Sequence, residues 1–541
     1  MRTSAYEIIL PLIGEDEKTI EGKTLLVNGL YGAIDVVDAD AAEKMQAGEI
    51  EKIPFALRER LALRGHITRK DGAEELADAK LLGRVWKTMI GQSSRGPVIL
   101  PTFNCNFRCP YCFEQHRLAR GQEWLGREMK PEMVDAVFAA FQKQRDKGFE
   151  IGDCTLYGGE PLLKENMATV RNICEHAKAM GLPLTAITNG YDLDAYADLL
   201  KEFEFRQLQI TVDGVGEMND RRRLHRDGVP TYEKILQNVQ LALDCGVDVS
   251  LRVNTNGGNI GGVKALIEDL AVRGLKETRR AERQAARKEE AEAKKAGKPK
   301  RKGFFSYYFK AVSEDRDSPT WVSERQVLDA ILAAGLSPME AMEKQSQYNM
   351  PLTGLSAAMK KEDYPNFSPA FCGAEHGMIC VGPDGLLFAC WDLVAMDDEA
   401  VGFTDVEEGR FIFNFTKAKW RTRTSDLMEP CQTCPYIFIC RGGCASAAKR
   451  AHGSYFRENC GEAKEIFAYV APRVIGRKWQ ETKEDELSIS LAGPLSRITG
   501  AERERLMKTT SQQEMLGIIQ KAGFFLSSPN KAEEVTEKKE S

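Results

Sequence analysis

Three closely spaced cysteines lie early in the chain, within the sequence TFNCNFRCPYCFEQ of residues 102–115. Cys105, Cys109 and Cys112 form a CxxxCxxC pattern directly after a predicted strand. Three thiolates bind three corners of a cubane [4Fe–4S] cluster and leave the fourth iron without a protein ligand. The pattern therefore predicts an iron–sulfur site with one iron that is open to a small molecule carrying an amine and a carboxylate.

A structural zinc site is the alternative for this triplet. Structural zinc has four protein ligands, and no nearby Cys or His has a suitable spacing to be the fourth, His116 included. The triplet, with Tyr111 before its third cysteine, resembles the signature of the radical S-adenosylmethionine (SAM) superfamily. SAM carries an amine and a carboxylate on its methionine part. The resemblance implies that a reduced cluster cleaves SAM to a 5′-deoxyadenosyl radical, which abstracts hydrogen from an unactivated C–H bond.

A second motif, Tyr157-Gly158-Gly159-Glu160-Pro161, follows the next predicted strand. Two glycines let backbone groups approach a ligand closely, and a carboxylate accepts hydrogen bonds from a cationic amine. By itself the motif is equally typical of an ordinary turn. Beside the triplet it resembles the GGEP element of the same family, which implies that it holds the methionyl amine of SAM. The same resemblance implies SAM contacts for polar residues at later strand ends: Asn189, Thr211, Asp213, Arg252 and Asn254.

Eight further cysteines lie between residues 372 and 460, which is enough to bind two four-iron clusters or two structural zinc ions. Their CxxC-x5-C-x3-C spacing and a glycine five residues before Cys390 resemble the SPASM domain of radical SAM enzymes. That resemblance implies two auxiliary [4Fe–4S] clusters with interleaved ligands, three clusters in all. One would take Cys372, Cys380, Cys390 and Cys444, and the other Cys431, Cys434, Cys440 and Cys460.

Asp392 follows Cys390 after one residue. Some family members have a carboxylate here that accepts a proton as the substrate radical is oxidised, so Asp392 is a candidate general base. A surface aspartate in a turn is the alternative. Fully ligated auxiliary clusters would conduct electrons, and the resemblance implies an external one-electron donor of the flavodoxin or ferredoxin type.

The elements that position these residues alternate between strands and amphipathic helices from residue 97 onward. Six strand-then-helix units predict an α/β fold with a partial (β/α)6 barrel, whose chemistry lies at the carboxyl ends of the strands. The predicted strands are 98–103, 154–157, 184–188, 207–212, 249–254 and 306–312.

Four regions are predicted along the chain. Residues 1–95 form a small α+β domain, in which Leu57–Ile67 resembles a winged helix, and residues 96–340 form the barrel. Residues 276–302 carry twelve basic and five acidic side chains, which predicts a solvated helix, a mobile insertion or a docking patch for an acidic partner. A cysteine-rich SPASM domain covers 341–470, and a helical extension with a disordered tail covers 471–541.

Bulk composition restricts the classes of partner and compartment. The formal net charge of −5 predicts no general affinity for nucleic acid or membrane. Fourteen cysteines without a secretory signal predict metal ligands in a cytoplasmic protein rather than disulfides. Three isolated cysteines, Cys154, Cys174 and Cys245, are expected to be buried apolar residues.

The family resemblance also implies a substrate class. Enzymes that join a radical SAM barrel to a SPASM module mostly crosslink or oxidise ribosomally made peptides or proteins. The pattern of residues 1–95 resembles the winged-helix element that grips leader peptides in such maturases. The alternatives are a maturase that forms formylglycine in a sulfatase and a non-catalytic iron–sulfur electron-transfer protein.

Overall fold

The computed structural model describes residues 1–89, 94–112, 114, 120–278, 301–314, 316–345, 350–359, 368–482, 487–488, 500–509 and 511–521. Most of the charged segment 276–302, together with His116 and the tail after residue 521, therefore lies outside the described residues. Among the residues described, no helix combines the length and apolar character needed to cross a membrane.

The described strands, in chain order, are β1 (Arg2–Thr3), β2 (Glu7–Ile13), β3 (Thr19–Asn28), β4 (Ile34–Asp38), β5 (Ile67–Thr68), β6 (Ser94–Ile99), β7 (Glu150–Ile151), β8 (Cys154–Leu156), β9 (Leu184–Thr188), β10 (Phe205–Thr211), β11 (Asp248–Thr255), β12 (Phe305–Ala311), β13 (Met378–Val381), β14 (Leu386–Phe388), β15 (Gly402–Asp405), β16 (Arg410–Phe413) and β17 (Leu487–Ser488). The described helices of the first half are Ala39–Ala47, Phe55–Arg64, Gly72–Met89, Gln122–Leu125, Pro131–Asp146, Met167–Ala179, Ala197–Glu202, Glu217–Arg222, Tyr232–Asp244 and Val263–Val272. Those of the second half are Glu324–Ala333, Pro338–Gln345, Met350–Met359, Phe415–Thr422, Glu429–Gln432, Ile437–Cys440, Ala445–His452, Ala463–Thr482, Gly500–Lys508 and Gln512–Lys521.

Six parallel strands form the centre of the molecule, in the order β6-β8-β9-β10-β11-β12. Helices such as Met167–Ala179 and Tyr232–Asp244 return the chain between successive strands. One face of each central strand packs apolar side chains into the core, as in β11, where Val249, Leu251 and Val253 are at most 2% exposed. The predicted α/β fold with six parallel strands is confirmed.

The first barrel strand begins and ends four residues earlier than the sequence predicts. It runs over Ser94–Ile99, so the predicted strand 98–103 is wrong in its bounds. Beyond it the chain turns away, because the Thr102 hydroxyl donates to the carbonyl of Arg127 at 3.0 Å and Thr102 pairs with Glu128 in an isolated bridge. Residues 100–104 therefore form a bend that leads into the cysteine triplet.

The barrel sheet continues directly into the cysteine-rich region. On its other side β6 pairs in parallel with β13, and β13 to β16 follow as an antiparallel meander. Cys380 lies in β13 opposite Val98 of β6. The segment after residue 340 still forms helices, such as Met350–Met359. The helix Ala463–Thr482 runs across the predicted domain boundary at residue 470.

The N-terminal domain is an antiparallel sheet with strand order β17-β4-β3-β2. Its helix Phe55–Arg64 ends at Gly65 with φ +85° and leads into β5, as the sequence indicates. The domain packs against the cysteine-rich region. A Cβ at Gly29 would lie 1.7 Å from the carbonyl oxygen of Pro435, which follows Cys434, so only glycine fits this contact.

A buried charged cluster holds the N-terminal domain together. His66 is fully buried, with Nδ1 2.8 Å from Glu7 Oε1 and Nε2 2.6 Å from Asp35 Oδ2. Arg64 Nε donates to the same Asp35 oxygen at 2.5 Å. Burial opposes the charged form of the ring, but the charges and hydrogen bonds of Glu7 and Asp35 outweigh it and raise the pKa of His66 to about 9.

The N-terminal domain is therefore expected to lose stability in mildly alkaline solution. A raised histidine pKa stabilises the fold fully below the ordinary value near 6.5, and this contribution disappears as the pH rises through about 9. The two pKa values differ by an amount that corresponds to roughly 3 kcal/mol. Hydrogen exchange of residues 1–70 between pH 6.5 and 9.5 measures this loss. His66→Gln should be less stable at pH 6.5, and its deficit should shrink as the pH rises; a constant deficit would contradict the assignment.

Candidate active site

The cysteine triplet lies on the loop after β6, at the carboxyl end of the parallel strands. The loop is fixed by backbone hydrogen bonds, from Glu160 N–H to Asn104 O and from Arg226 N–H to Asn106 O, each 2.7 Å. The Phe107 N–H donates to Cys105 Sγ at 3.3 Å, so a backbone donor already faces the first sulfur. Burial, followed by the nearby charge of Glu160, raises the pKa of Cys105 to about 12.

Gly158 and Gly159 pack against the backbone of this loop. Gly158 has φ +127°, and a Cβ there would lie 2.6 Å from the carbonyl oxygen of Thr102. A Cβ at Gly159 would lie 2.1 Å from the carbonyl oxygen of Asn104. The glycines therefore bring the loop after β8 into direct contact with the residue before Cys105, and no side chain fits between them.

Gly159→Ala is expected to displace the cysteine loop and to lower SAM cleavage at least about fivefold. The added methyl group meets backbone atoms that cannot rotate away, and overpacking of this kind costs about 1–3 kcal/mol. Release of 5′-deoxyadenosine from SAM and a chemical reductant measures the effect. Gly96→Ala is the matched control, because a Cβ there is 4.0 Å from its nearest neighbour. Equal rates for the two variants would contradict the role of this contact.

Glu160 is buried, and both of its carboxylate oxygens accept hydrogen bonds from the protein. Oε1 accepts from Leu162 N–H at 2.9 Å and from the Thr188 hydroxyl at 2.6 Å, and Oε2 accepts from Asn189 N–H at 2.6 Å. The side chain thus joins the loop after β8 to the end of β9. This geometry gives Glu160 a part in positioning the loop, and the predicted contact with the SAM amine stays a prediction. Pro161 contributes its carbonyl, which accepts from Asn166 Nδ2 at 3.2 Å.

Asn189 connects the end of β9 to the cysteine loop. Its Nδ2 donates to Asn106 Oδ1 at 2.6 Å and lies 3.9 Å from Cys105 Sγ. Asn106 follows Cys105 and was not singled out from the sequence. An Asn in a tight loop is too common a feature to signal such a role.

A polar network joins the triplet to the ends of β10 and β11. The Tyr111 hydroxyl donates to Asp213 Oδ2 and receives a bond from Arg223 Nη1 at 3.0 Å. Asp213 Oδ1 accepts from the backbone N–H of Asn254 at 2.9 Å, and Arg252 Nε donates to Asn254 Oδ1 at 2.8 Å. The structure therefore brings four of the predicted residues together. Thr211, the last residue of β10, is buried beside them.

Arg223 is a functional candidate that the sequence did not reveal. Its side chain is buried beside the triplet, and its Nε has no hydrogen-bond partner among the described residues. Burial disfavours its charge, but Tyr111, Cys109 and Asp213 outweigh burial and raise the pKa of Arg223. The run Arg221-Arg222-Arg223 was visible in the sequence, yet only the fold shows that Arg222 and Arg223 turn inward and Arg221 outward.

Seven of the eight C-terminal thiols lie near one another in two groups. In the first, Cys390 lies within electrostatic range of Cys372 and Cys444, and burial, Asp392 and these two thiols raise its pKa. Burial raises the pKa of Cys380 to about 12, Lys417 opposes this shift, and Asp392, which also lies near Cys390, adds to it.

The second group contains the remaining four cysteines. Burial and the nearby thiols of Cys440, Cys460 and Cys434 raise the pKa of Cys431 to about 12. Among the described residues, no three Cys, His, Asp or Glu side chains converge as ligands of one metal ion would. The cysteines of a cubane cluster each bind a different iron, so they stand farther apart than ligands of one ion do.

Asp392 lies in a short 3₁₀ turn, Trp391–Leu393, which begins directly after Cys390. It raises the pKa of Cys380, Cys390 and Cys444. The neighbouring Trp391 ring lies 5.8 Å from that of Tyr157, which begins the glycine motif of the barrel. Trp391 thus places this turn against the barrel, and the role of Asp392 as a general base stays a prediction.

Comparison with known families identifies the barrel. The sequence model of the Radical SAM superfamily matches residues 99–270, which include the triplet, the glycine motif and the polar network. The chain contains a radical SAM domain. The prediction of a radical SAM domain is confirmed for these residues, and such a domain implies one [4Fe–4S] cluster and SAM as cofactors.

Curated relatives match this chain over a limited part of its length. The GTP 3′,8-cyclase of Microcystis aeruginosa is 36% identical over 174 residues, 31% of this chain and 48% of that protein. The S-adenosylmethionine-dependent nucleotide dehydratase of Psychrobacter lutiphocae is 27% identical over 156 residues, 28% of this chain and 52% of that protein. The chain spans about half the length of the curated relatives it matches.

A solved structure is similar over more of the chain. Native anSMEcpe with bound AdoMet and Cp18Cys peptide superposes with a TM-score of 0.51 at 17% identity, over 71% of this chain and 98% of that chain. At this identity the likeness is one of fold. It extends the comparison beyond the radical SAM domain into the rest of the molecule.

Proposed function

We propose that this protein is a radical SAM enzyme with three [4Fe–4S] clusters that modifies a ribosomally made peptide. The proposal is supported by eight C-terminal thiols beside a radical SAM barrel, of which Cys372, Cys390 and Cys444 lie near one another, as do Cys431, Cys434, Cys440 and Cys460. The family resemblance assigns Cys380 to the first of these groups, which would complete two interleaved sets of four ligands. The proposal includes an external one-electron donor of the flavodoxin or ferredoxin type and a cytoplasmic location.

The residues around the triplet fit a cluster with bound SAM. Cys105, Cys109 and Cys112 would hold three irons, and the buried Nε of Arg223 is a donor without a partner among the described residues. We assign Arg223 to the SAM carboxylate, because a buried guanidinium pairs strongly with a carboxylate. When bound, the reduced cluster and SAM supply a 5′-deoxyadenosyl radical that abstracts hydrogen from the substrate.

The chain's own residues would then position the reactants and move a proton. Gly158 and Gly159 keep the backbone close to the cluster loop, and the network of Tyr111, Asp213 and Asn254 shapes the pocket at the strand ends. Asp392, in the turn directly after Cys390, would accept the proton released as the product forms. Asp392→Asn should retain SAM cleavage and lose product if it has this role.

A peptide substrate is supported by the N-terminal domain. The Tyr6 hydroxyl donates to the carbonyl of Gln432, between Cys431 and Cys434, and Gly29 packs on Pro435. A domain that binds a leader peptide would therefore sit directly on a cluster-bearing loop. The similar fold of anSMEcpe was solved with a bound peptide, and we extend that substrate class to this chain.

Co-expression with short reading frames that neighbour the gene tests the substrate. A modified peptide should lose two hydrogen atoms for each crosslink or oxidised side chain, as measured by mass spectrometry, and should stay unmodified with a Cys109→Ser variant. GTP is the control substrate, because the curated relatives are named GTP 3′,8-cyclases. Conversion of GTP together with unmodified peptides would contradict the proposal.

A further inference from the structure

One buried ion pair lies between the cysteine-bearing segments of the C-terminal region. Arg423 and Glu375 have side chains that are 0% and 1% exposed, and an Arg423 Nη1–H donates to Glu375 Oε1. Nothing in the proposed chemistry uses either residue. A buried charge pair is stable only when its other donors and acceptors also form hydrogen bonds. The partners in those bonds therefore show which backbone segments the pair connects.

The Arg423 guanidinium donates to four backbone carbonyls besides Glu375. Its acceptors are Gly443 O at 2.9 Å, Gly442 O at 3.4 Å, Arg457 O at 3.0 Å and Tyr455 O. With Glu375, these contacts use the five donors that an arginine side chain has. The Arg423 guanidinium therefore connects the Gly442–Gly443 turn to the segment that leads to Cys460.

Glu375 extends the connection to a third segment. Its Oε2 accepts from the backbone N–H groups of Phe371 and Cys372. Cys372 belongs to the first thiol group, as does Cys444, which follows the glycine turn. The pair thus fixes the backbone next to both of these cysteines.

The glycine turn is itself packed against the last segment. Gly442 and Gly443 both have φ +75°, and a Cβ at Gly443 would lie 1.8 Å from the carbonyl oxygen of Asn459, the residue before Cys460. Asn459 N–H donates to Gly442 O at 2.9 Å. The turn connects Cys440 of the second group to Cys444 of the first, so movement here shifts ligands of both groups.

We propose that Arg423, held by Glu375, is the positioning residue that sets the ligand geometry of both auxiliary clusters at once. This inference rests on the proposed function, because it assumes that the two thiol groups bind clusters. Neither residue would contact a cluster or substrate. Each would act through the backbone beside Cys372, Cys440, Cys444 and Cys460.

Iron analysis and electron paramagnetic resonance of the full-length, anaerobically reconstituted protein test the proposal. Lysine keeps the charge of Arg423 but cannot reach four carbonyls and a carboxylate with three donors from one nitrogen. The iron content of the Arg423→Lys variant should be about four per chain instead of about twelve, while the variant still releases 5′-deoxyadenosine from SAM. Arg410→Lys is the control, since Arg410 lies in the same region, is exposed and pairs with Asp405 at 3.2 Å.

Glu375→Gln is the second test variant, and it also tests the proposal if the Arg423→Lys protein fails to fold. It leaves the four carbonyl contacts of Arg423 in place, removes the charge of its partner and disturbs the bonds to Phe371 and Cys372, so the auxiliary signal of the cluster at Cys372 should change and the other should persist. Twelve irons and unchanged spectra in both variants, even with a lower thermal midpoint, would reduce the pair to a stabilising role and overturn this proposal. Wild-type protein with four irons would instead overturn the auxiliary clusters of the proposed function.

Discussion

Replacing Cys109 by serine is expected to abolish SAM cleavage and to remove about four of about twelve irons per chain. A serine hydroxyl is a poor ligand for iron–sulfur clusters, which require soft thiolates. Loss of a residue that only supports a metal ligand lowers activity about 10–100-fold. Loss of a ligand itself should therefore lower SAM cleavage by more than about a hundredfold. Release of 5′-deoxyadenosine from SAM under reducing conditions measures it.

Cys245→Ser is the matched control for this substitution. Cys245 is 7% exposed and is one of the three isolated cysteines that the sequence predicts, and the structure confirms, to be buried. Its change to serine should leave the iron count and SAM cleavage intact. A Cys109→Ser protein that cleaves SAM at the wild-type rate would contradict the assignment of the triplet.

Replacing Arg223 by methionine is expected to weaken SAM binding by about a hundredfold. Methionine has a similar length and no charge, so the pocket keeps most of its volume while the donor for the SAM carboxylate is lost. Hydrogen bonds to charged groups contribute about 1.5–3 kcal/mol each, and about 2.7 kcal/mol corresponds to a hundredfold change in affinity. Titration of cluster-loaded protein with SAM measures the dissociation constant.

Arg221→Met is the control, because Arg221 lies two residues away, is 74% exposed in its side chain and pairs only with Glu217 among the described residues. It should bind SAM as the wild type does. Equal affinities for the two methionine variants would show that Arg223 stabilises the Tyr111–Asp213 network without contacting SAM.

Local sequence patterns were enough to predict the barrel. The strand Leu184–Thr188 has the bounds that the sequence predicts, because it is a short apolar run with clear ends. The first barrel strand was misplaced because apolar residues continue past Ile99. Only tertiary contacts of Thr102 show where the chain leaves the sheet.

The site was partly predictable for a related reason. Cysteine spacing and the glycine motif are local, so Cys105, Cys109 and Gly159 could be found from the sequence. Arg423 could not be found, because its acceptors at residues 375, 442, 443, 455 and 457 come from segments that only the fold brings together.

Quantification of iron and of 5′-deoxyadenosine on the same anaerobically reconstituted sample tests the central claim most directly. The account predicts about twelve irons per chain and steady consumption of SAM once a low-potential reductant is added. A sample that carries its clusters and yet leaves SAM intact would contradict it.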